Sequence, residues 1–239
     1  MLHRRMFLAA LAVSILPNIV SAQSTSPQSN SQLKTVLDQM DTASKTFRNA
    51  RADFSCQYYE VVVHDTTDEK GPVYFLRNQS ATEMGLVEQT PDGKPARVIN
   101  YKDGLLQVFD TGVNQITVFH AGANQGQVEK YFTLGFGGSG TDLSHSWNIQ
   151  DLGPETLSDG SQQVKTRKLD LTAKDAGEKT FAHITIWVDP TRALSLRQIF
   201  YLTNHDRRTC NYTNVKLNGR LDSDTFKIKK DKNTTIVNH

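Results

Sequence analysis

The sequence has 239 residues, with 27 Lys+Arg against 25 Asp+Glu, 37% hydrophobic residues and two cysteines. So even a charge balance argues against a nucleic-acid-binding surface, which needs Lys and Arg clustered densely enough to displace counterions. The length is too great for a disulfide-stapled miniprotein and suits one all-β or α+β domain.

The first 22 residues read as a signal peptide. His3, Arg4 and Arg5 precede an apolar run from Met6 to Val20, and Val20-Ser21-Ala22 supplies small residues for cleavage. The run falls short of the ~20 residues that span a bilayer, and Pro17 interrupts it. Cutting after Ala22 leaves 217 residues in which 25 basic side chains balance 25 acidic ones. The cut is flanked by Ala22 and Gln23, not by the Cys that carries the lipid of a bacterial lipoprotein. The expected product is exported and soluble, without a lipid anchor of its own.

Residues 23–30 are a Ser/Gln/Pro/Asn-rich lead expected to be flexible, and residues 31–239 are expected to form one domain. From Ser31, which can serve as N-cap, Leu33, Val36, Leu37, Met40, Ala43 and Phe47 recur at helical spacing. After Ala52 the period changes to that of strands. These are expected at Phe54–Val63, Val73–Arg77, Ala81–Gln89, Ala96–Tyr101, Leu105–Asp110 and Gln115–His120. Further strands follow at Trp147–Leu152, Gln162–Leu171, Thr180–Val188, Leu194–Thr203, Arg207–Asn218 and Thr225–Ile228. Polar turns join them, the first expected over Asp65–Gly71. This is the pattern of a meandering antiparallel sheet large enough to curl. One stretch breaks the meander: Val128, Tyr131, Phe132 and Leu134 have a short helical period and precede the glycine-rich Gly135–Gly140. Such a segment suits a lid hinged over one face of the sheet, or equally a helix plugging its core.

Few residues carry a chemical signature. Gly135-x-Gly137-x-x-Gly140 matches a dinucleotide fingerprint in letters only, because no strand feeds it and no βαβ unit surrounds it. The histidines beyond the signal, His64, His120, His145, His183, His205 and His239, are not at metal-ligand spacing. Ser144-His145 puts a hydroxyl beside an imidazole, but chain neighbours do not make a nucleophile and base without a third orienting group. The reading is of a protein without catalysis, metal or cofactor. Cys56 and Cys210 lie 154 positions apart; in an oxidising compartment they are either bridged or two buried free thiols.

The order of these elements resembles the outer-membrane lipoprotein carrier (LolA-like) family. The amphipathic helix runs into a strand over Leu33–Tyr59. A Gly-x-aliphatic-aromatic-x-x-Arg strand is matched by Gly71-x-Val73-Tyr74-x-x-Arg77. A hairpin follows from Asp103-Gly104-Leu105 to Gln115-Ile116, then the segment Val128–Trp147. An aromatic strand with an Asp-Pro turn is matched by Ile184–Pro190, and the closing block by Tyr212–Asn218, Asp222, Phe226 and Ile236-Val237. The chain departs from the family in having Asn78, not Pro, after Arg77, and in lacking the usual prolines of the final block.

The resemblance implies a mostly β (α+β) fold: a half-open antiparallel β-barrel with an N-terminal helix and a short helical lid. It implies a periplasmic carrier that shields lipoprotein acyl chains in a hydrophobic cavity on the way to the outer membrane. A donor complex in the inner membrane and an acceptor at the outer membrane are implied as partners, the protein itself being a monomer. It also makes Arg77 the residue that holds the lid. A domain of the same barrel type that senses lipoproteins or envelope stress is the alternative, and an exported hydrolase built on Ser144 and His145 a more distant one. Candidates to line either a cavity or a packed core are Tyr58, Tyr74, Leu86, Val108, Phe109, Val118, Phe132, Ile184, Ile186, Leu196 and Phe200. A period-two strand reads the same whether its apolar face meets lipid or leucine.

Overall fold

The apolar stripe of the first helix is buried. In the computed structural model, which describes residues 27–78, 81–122, 125, 129, 131, 134–175, 177, 180–221 and 226–239, α1 spans Pro27–Ser44. It presses Val36 and Met40 into the core while Lys34 pairs with Asp38 at 2.7 Å on its outer side. The helix starts four residues before Ser31, because proline is tolerated in a first turn, where its missing N–H has no helical partner anyway. Residues 27–30 therefore belong to the helix and not to the polar lead. It stops at Ser44, so Phe47 lies beyond it and packs against the sheet.

The strands are β1 (Asn49–Glu60), β2 (Asp65–Asn78), β3 (Ala81–Gln89), β4 (Pro95–Lys102), β5 (Leu105–Asp110) and β6 (Gln115–His120). After α2 (Gly140–Ser146) come β7 (Trp147–Asp159), β8 (Gln162–Ala173), β9 (Phe181–Asp189), β10 (Leu194–Leu202), β11 (Arg207–Leu217) and β12 (Thr235–Asn238). They form one 12-stranded sheet in the order β12-β6-β5-β4-β3-β2-β1-β11-β10-β9-β8-β7. Neighbours are antiparallel except β12, which runs parallel to β6. The edges β7 and β12 do not pair with each other, so the sheet is a half-open barrel. Edge strand β7 is blunted by a bulge between Asp151 and Gly153, followed by Pro154, which has no N–H to offer. The end of β7 is bent back onto β11. Asp159 accepts the Val215 N–H at 2.9 Å and is itself held by Arg192 at 2.9 Å.

Two expected boundaries change. Asp65–Gly71 is not a turn but the first half of β2, paired with β1 from Asp65↔Glu60 to Gly71↔Phe54. Cross-strand pairing outweighs the polarity of its side chains. The turn falls instead on residues 61–64, where Asp206 fixes the chain by accepting from the Val61 N–H at 2.9 Å and the Tyr58 hydroxyl at 2.8 Å. Residues 226–228 are not a strand; Phe226 is a buried plug, and the last strand is β12.

That plug explains a third correction. Tyr74, Phe109 and Val118 do not face the barrel interior. With Val87, Val98 and Ile116 they form a cluster on the convex side of β2–β6, covered by Phe226, whose ring meets Tyr74 edge-on at 4.5 Å. Strands β2 to β5 are apolar on both faces, so alternation could not say which set turned inward. Ile184 and Ile186 do face inward, but they are wholly buried with Leu169, Leu171 and Val188 beneath α1 and α2.

Cys56 and Cys210 are bonded, and they face each other directly in the β1–β11 register. The bridge ties together parts of the chain 154 residues apart. Its loss is expected to cost about 2–5 kcal/mol. A reductant, or the double substitution Cys56→Ala/Cys210→Ala, should lower the melting temperature by several degrees, as read by calorimetry.

Candidate binding cavity

Helices α1 and α2 fill only part of the concave face. Over the rest, inward positions of β1 (Phe54, Cys56, Tyr58), β2 (Val73, Phe75), β3 (Met84, Leu86), β4 (Ile99), β5 (Leu106, Val108), β10 (Gln198, Phe200) and β11 (Cys210, Tyr212) surround a cavity of about 580 Å³. That volume lies within the ~300–1,000 Å³ of typical ligand sites.

One end of the cavity is shut by rings. Phe136 stacks on Phe75 at 3.8 Å and meets Tyr212 edge-on at 4.8 Å. The Tyr212 hydroxyl donates to Gln198 Oε1 at 3.2 Å, and the Gln198 amide donates to the Leu134 carbonyl. Burial pushes the Tyr212 pKa up to about 12, so its hydroxyl stays neutral. The other end reaches solvent between the β1–β2 and β10–β11 turns and is polar. Arg208, whose side chain is 40% exposed, pairs there with Glu69 at 2.5 Å.

Described residues of the segment between β6 and β7 lie against the concave face. Tyr131 lines the cavity and packs on Trp147 at 5.8 Å and Phe181 at 5.0 Å. The glycines that follow are docking points, not a hinge. A Cβ at Gly135 would lie 2.3 Å from Ser195 Cβ, one at Gly137 2.3 Å from the Phe47 ring, and one at Gly140 2.2 Å from the Leu37 carbonyl oxygen of α1. Main-chain bonds hold the same stretch to β10 and the turn before it, with the Gly137 N–H to Ala193 O at 2.7 Å and the Ser195 N–H to Gly135 O at 2.5 Å. Asp41 on α1 accepts from both the backbone N–H and the hydroxyl of Thr141 on α2, each at 2.9 Å.

Arg77 lies where α1, the glycine segment and β2 converge. It donates to the carbonyl of Ser44 at 3.3 Å and to the carbonyl of Gly137, with its guanidinium 5.5 Å from the Phe47 ring. Burial lowers its pKa from the usual arginine value, yet an arginine keeps its proton under any physiological condition.

Of the residues expected to line a cavity or core, Tyr58, Leu86, Val108 and Phe200 line the cavity. Leu196 is buried but does not line it, and Phe132 lies outside the described residues. Sequence reasoning missed Phe54, Phe75 and Met84, each two positions from an expected or known lining residue, and Phe136. The Ser144 hydroxyl donates to Thr141 O at 2.9 Å within α2, not to an imidazole. Among the described residues no group of His, Cys, Asp and Glu could hold a metal ion.

No family model matches the chain, and no curated protein does. Solved structures do. MucB superposes with a TM-score of 0.52 at 11% identity, over 87% of this chain and 66% of the MucB chain, slightly under two thirds of its length. An uncharacterized conserved protein from Thermus thermophilus gives a TM-score of 0.51 at 12% identity, over 87% of this chain and 99% of its own. The chain shares the fold of these two proteins. The LolA superfamily protein NE2245 from Nitrosomonas europaea is also similar, at a TM-score of 0.38 and 14% identity, over 82% of this chain and 97% of its own.

The Asp41 clamp makes acid stability testable. The Thr141 N–H holds the Asp41 carboxyl below its ordinary range. A pKa lower in the folded than in the unfolded chain gives stability that is present above the unfolded value and lost as pH falls through the folded one. Asp41→Ala should therefore melt below wild type at neutral pH, and the gap should close below about pH 4. A gap that persists in acid would show that packing, not charge, is responsible.

Proposed function

We propose that this protein is a periplasmic carrier that shelters the acyl chains of lipoproteins, or of similar apolar cargo, during transfer towards the outer membrane. The observation that carries this reading is the vacant apolar cavity on the concave side of an unclosed sheet. Burying a methylene is worth about 0.8 kcal/mol, so an acyl chain of ~16 carbons leaving a membrane exposes roughly 12 kcal/mol of unfavourable surface. Only a deep apolar concavity offsets that. A location in the periplasm suits a shuttle between a donor complex in the inner membrane and an acceptor at the outer membrane.

In this reading Arg77 is the residue that holds the segment over the cavity, by its bonds to Gly137 and Ser44. Loading requires that empty and filled states differ by only a few kcal/mol, so that cargo can shift the balance between them.

Solvent extraction of the purified protein followed by mass spectrometry should recover acyl chains or lipopeptide. Arg77→Leu should keep the fold by circular dichroism while slowing loading or release severalfold in a transfer assay to acceptor vesicles. Unchanged transfer would remove Arg77 from the site. Cargo bound but never delivered would favour a sensor that signals to a protein partner, and ester turnover with nothing bound would favour a hydrolase.

A further inference from the structure

Glu69 and Arg208 line the open end of the cavity, and further charges that already have partners adjoin them. Towards the β1–β2, β3–β4 and β5–β6 turns, the inward positions cease to be apolar. Glu69 precedes Val73 on β2, Glu88 follows Leu86 on β3, Arg97 precedes Ile99 on β4, Asp110 follows Val108 on β5, and Arg208 precedes Cys210 on β11. Arg208 is paired with Glu69 at 2.5 Å and Arg97 with Glu88 at 3.4 Å. Asp110 faces Arg97 across the β4–β5 ladder. The Glu88 carboxyl feels Arg97, Glu69, Arg208 and Asp110, so these groups form one electrostatic cluster. Three carboxylates thus share two guanidiniums, and neither positive charge in this cluster is uncommitted.

A ligand reaching its chain into the apolar end must leave its polar end among these groups. A carboxylate there would meet three like charges. To pair with Arg208 it would have to share that guanidinium with Glu69, bringing two carboxylates against one positive charge. An ester or amide carbonyl needs only one hydrogen bond and brings no charge to desolvate. Resting on the carrier reading above, we infer that Glu69, Glu88 and Asp110 make the cavity select acyl groups with an uncharged ester or amide end and reject free fatty-acid carboxylates. Selectivity of this kind comes from a built-in repulsive element and not from an extra attraction.

A matched pair of probes tests this: an undecanoyl chain dansylated at its tail, as the free acid and as the primary amide, titrated by fluorescence into the full chain at neutral pH. The amide is expected to bind about tenfold more tightly than the acid, a difference near 1.4 kcal/mol. Glu69→Gln leaves Arg208 without its acidic partner and should bring the two affinities to near equality. The ratio is the readout, because a general loss from altered packing affects both probes alike. Should Glu69→Gln fail to fold by circular dichroism, Glu88→Gln carries the same test. Equal affinities in wild type, or a ratio unmoved by the substitution, would overturn the selectivity while leaving the carrier reading intact. Failure of both probes to enter wild type would overturn the two together.

Discussion

Pairing between β1 and β11 is the constraint on which the rest of the molecule depends. The meander β2–β6 and the meander β7–β10 are each local, built from hairpins that need only short turns. They become one sheet only because β1, near the start of the described chain, lies between β2 and β11, near its end. The register runs from Ala50↔Leu217 to Tyr59↔Arg207, with the disulfide within it. Closing so long a loop is entropically costly, and the bridge lessens that cost by restricting the unfolded chain. Residues from β1, β2, β10 and β11 supply the floor of the cavity, so without this seam the two meanders would share no interior.

What fills that interior follows from geometry. A curled sheet of twelve strands encloses more space than the side chains on its inner face can occupy. On the β7–β10 side, α1 and α2 fill the space and bury Leu169, Leu171, Ile184 and Ile186 completely. On the β1–β5 side Tyr131 borders the interior and Glu129 accepts from the Tyr101 hydroxyl of β4 at 2.9 Å, and an apolar void remains. The glycine segment forms the boundary between the filled and vacant halves. Its three glycines let backbone approach β10, Phe47 and α1 more closely than any side chain would permit. A stretch that looks like a flexible hinge in the sequence is therefore one of the tightest joints in the fold, further secured by Arg77 and by the Asp41 clamp.

The same alternation that builds the cavity also sets its chemistry. Moving along β2, β3 and β11 from the closed end, inward positions pass from Phe75, Met84 and Tyr212 to Glu69, Glu88 and Arg208. Glu69 and Arg208 neutralise each other from different strands, as do Glu88 and Arg97. The cavity is thus amphipathic along its length, greasy where it is closed and polar where it meets water.

The amphipathic helix, the antiparallel meander and most strand boundaries were legible in the chain, because they rest on local periodicity and turn chemistry; β3, β5 and β6 begin and end where the pattern places them. The inward set of side chains was legible only in part. Tyr58, Leu86, Val108 and Phe200 line the void, but Tyr74, Phe109 and Val118 turn to the convex side because Phe226, far along the chain from all three, covers that face. Likewise the pairing of Asp65–Gly71 with β1 made a strand of a run whose composition spells a turn. Period-two alternation fixes that successive residues point to opposite faces, yet it carries no information about which face will be covered, by what, or with how much room left over. Those outcomes depend on contacts between segments far apart in the chain, and they exist only once the sheet has curled.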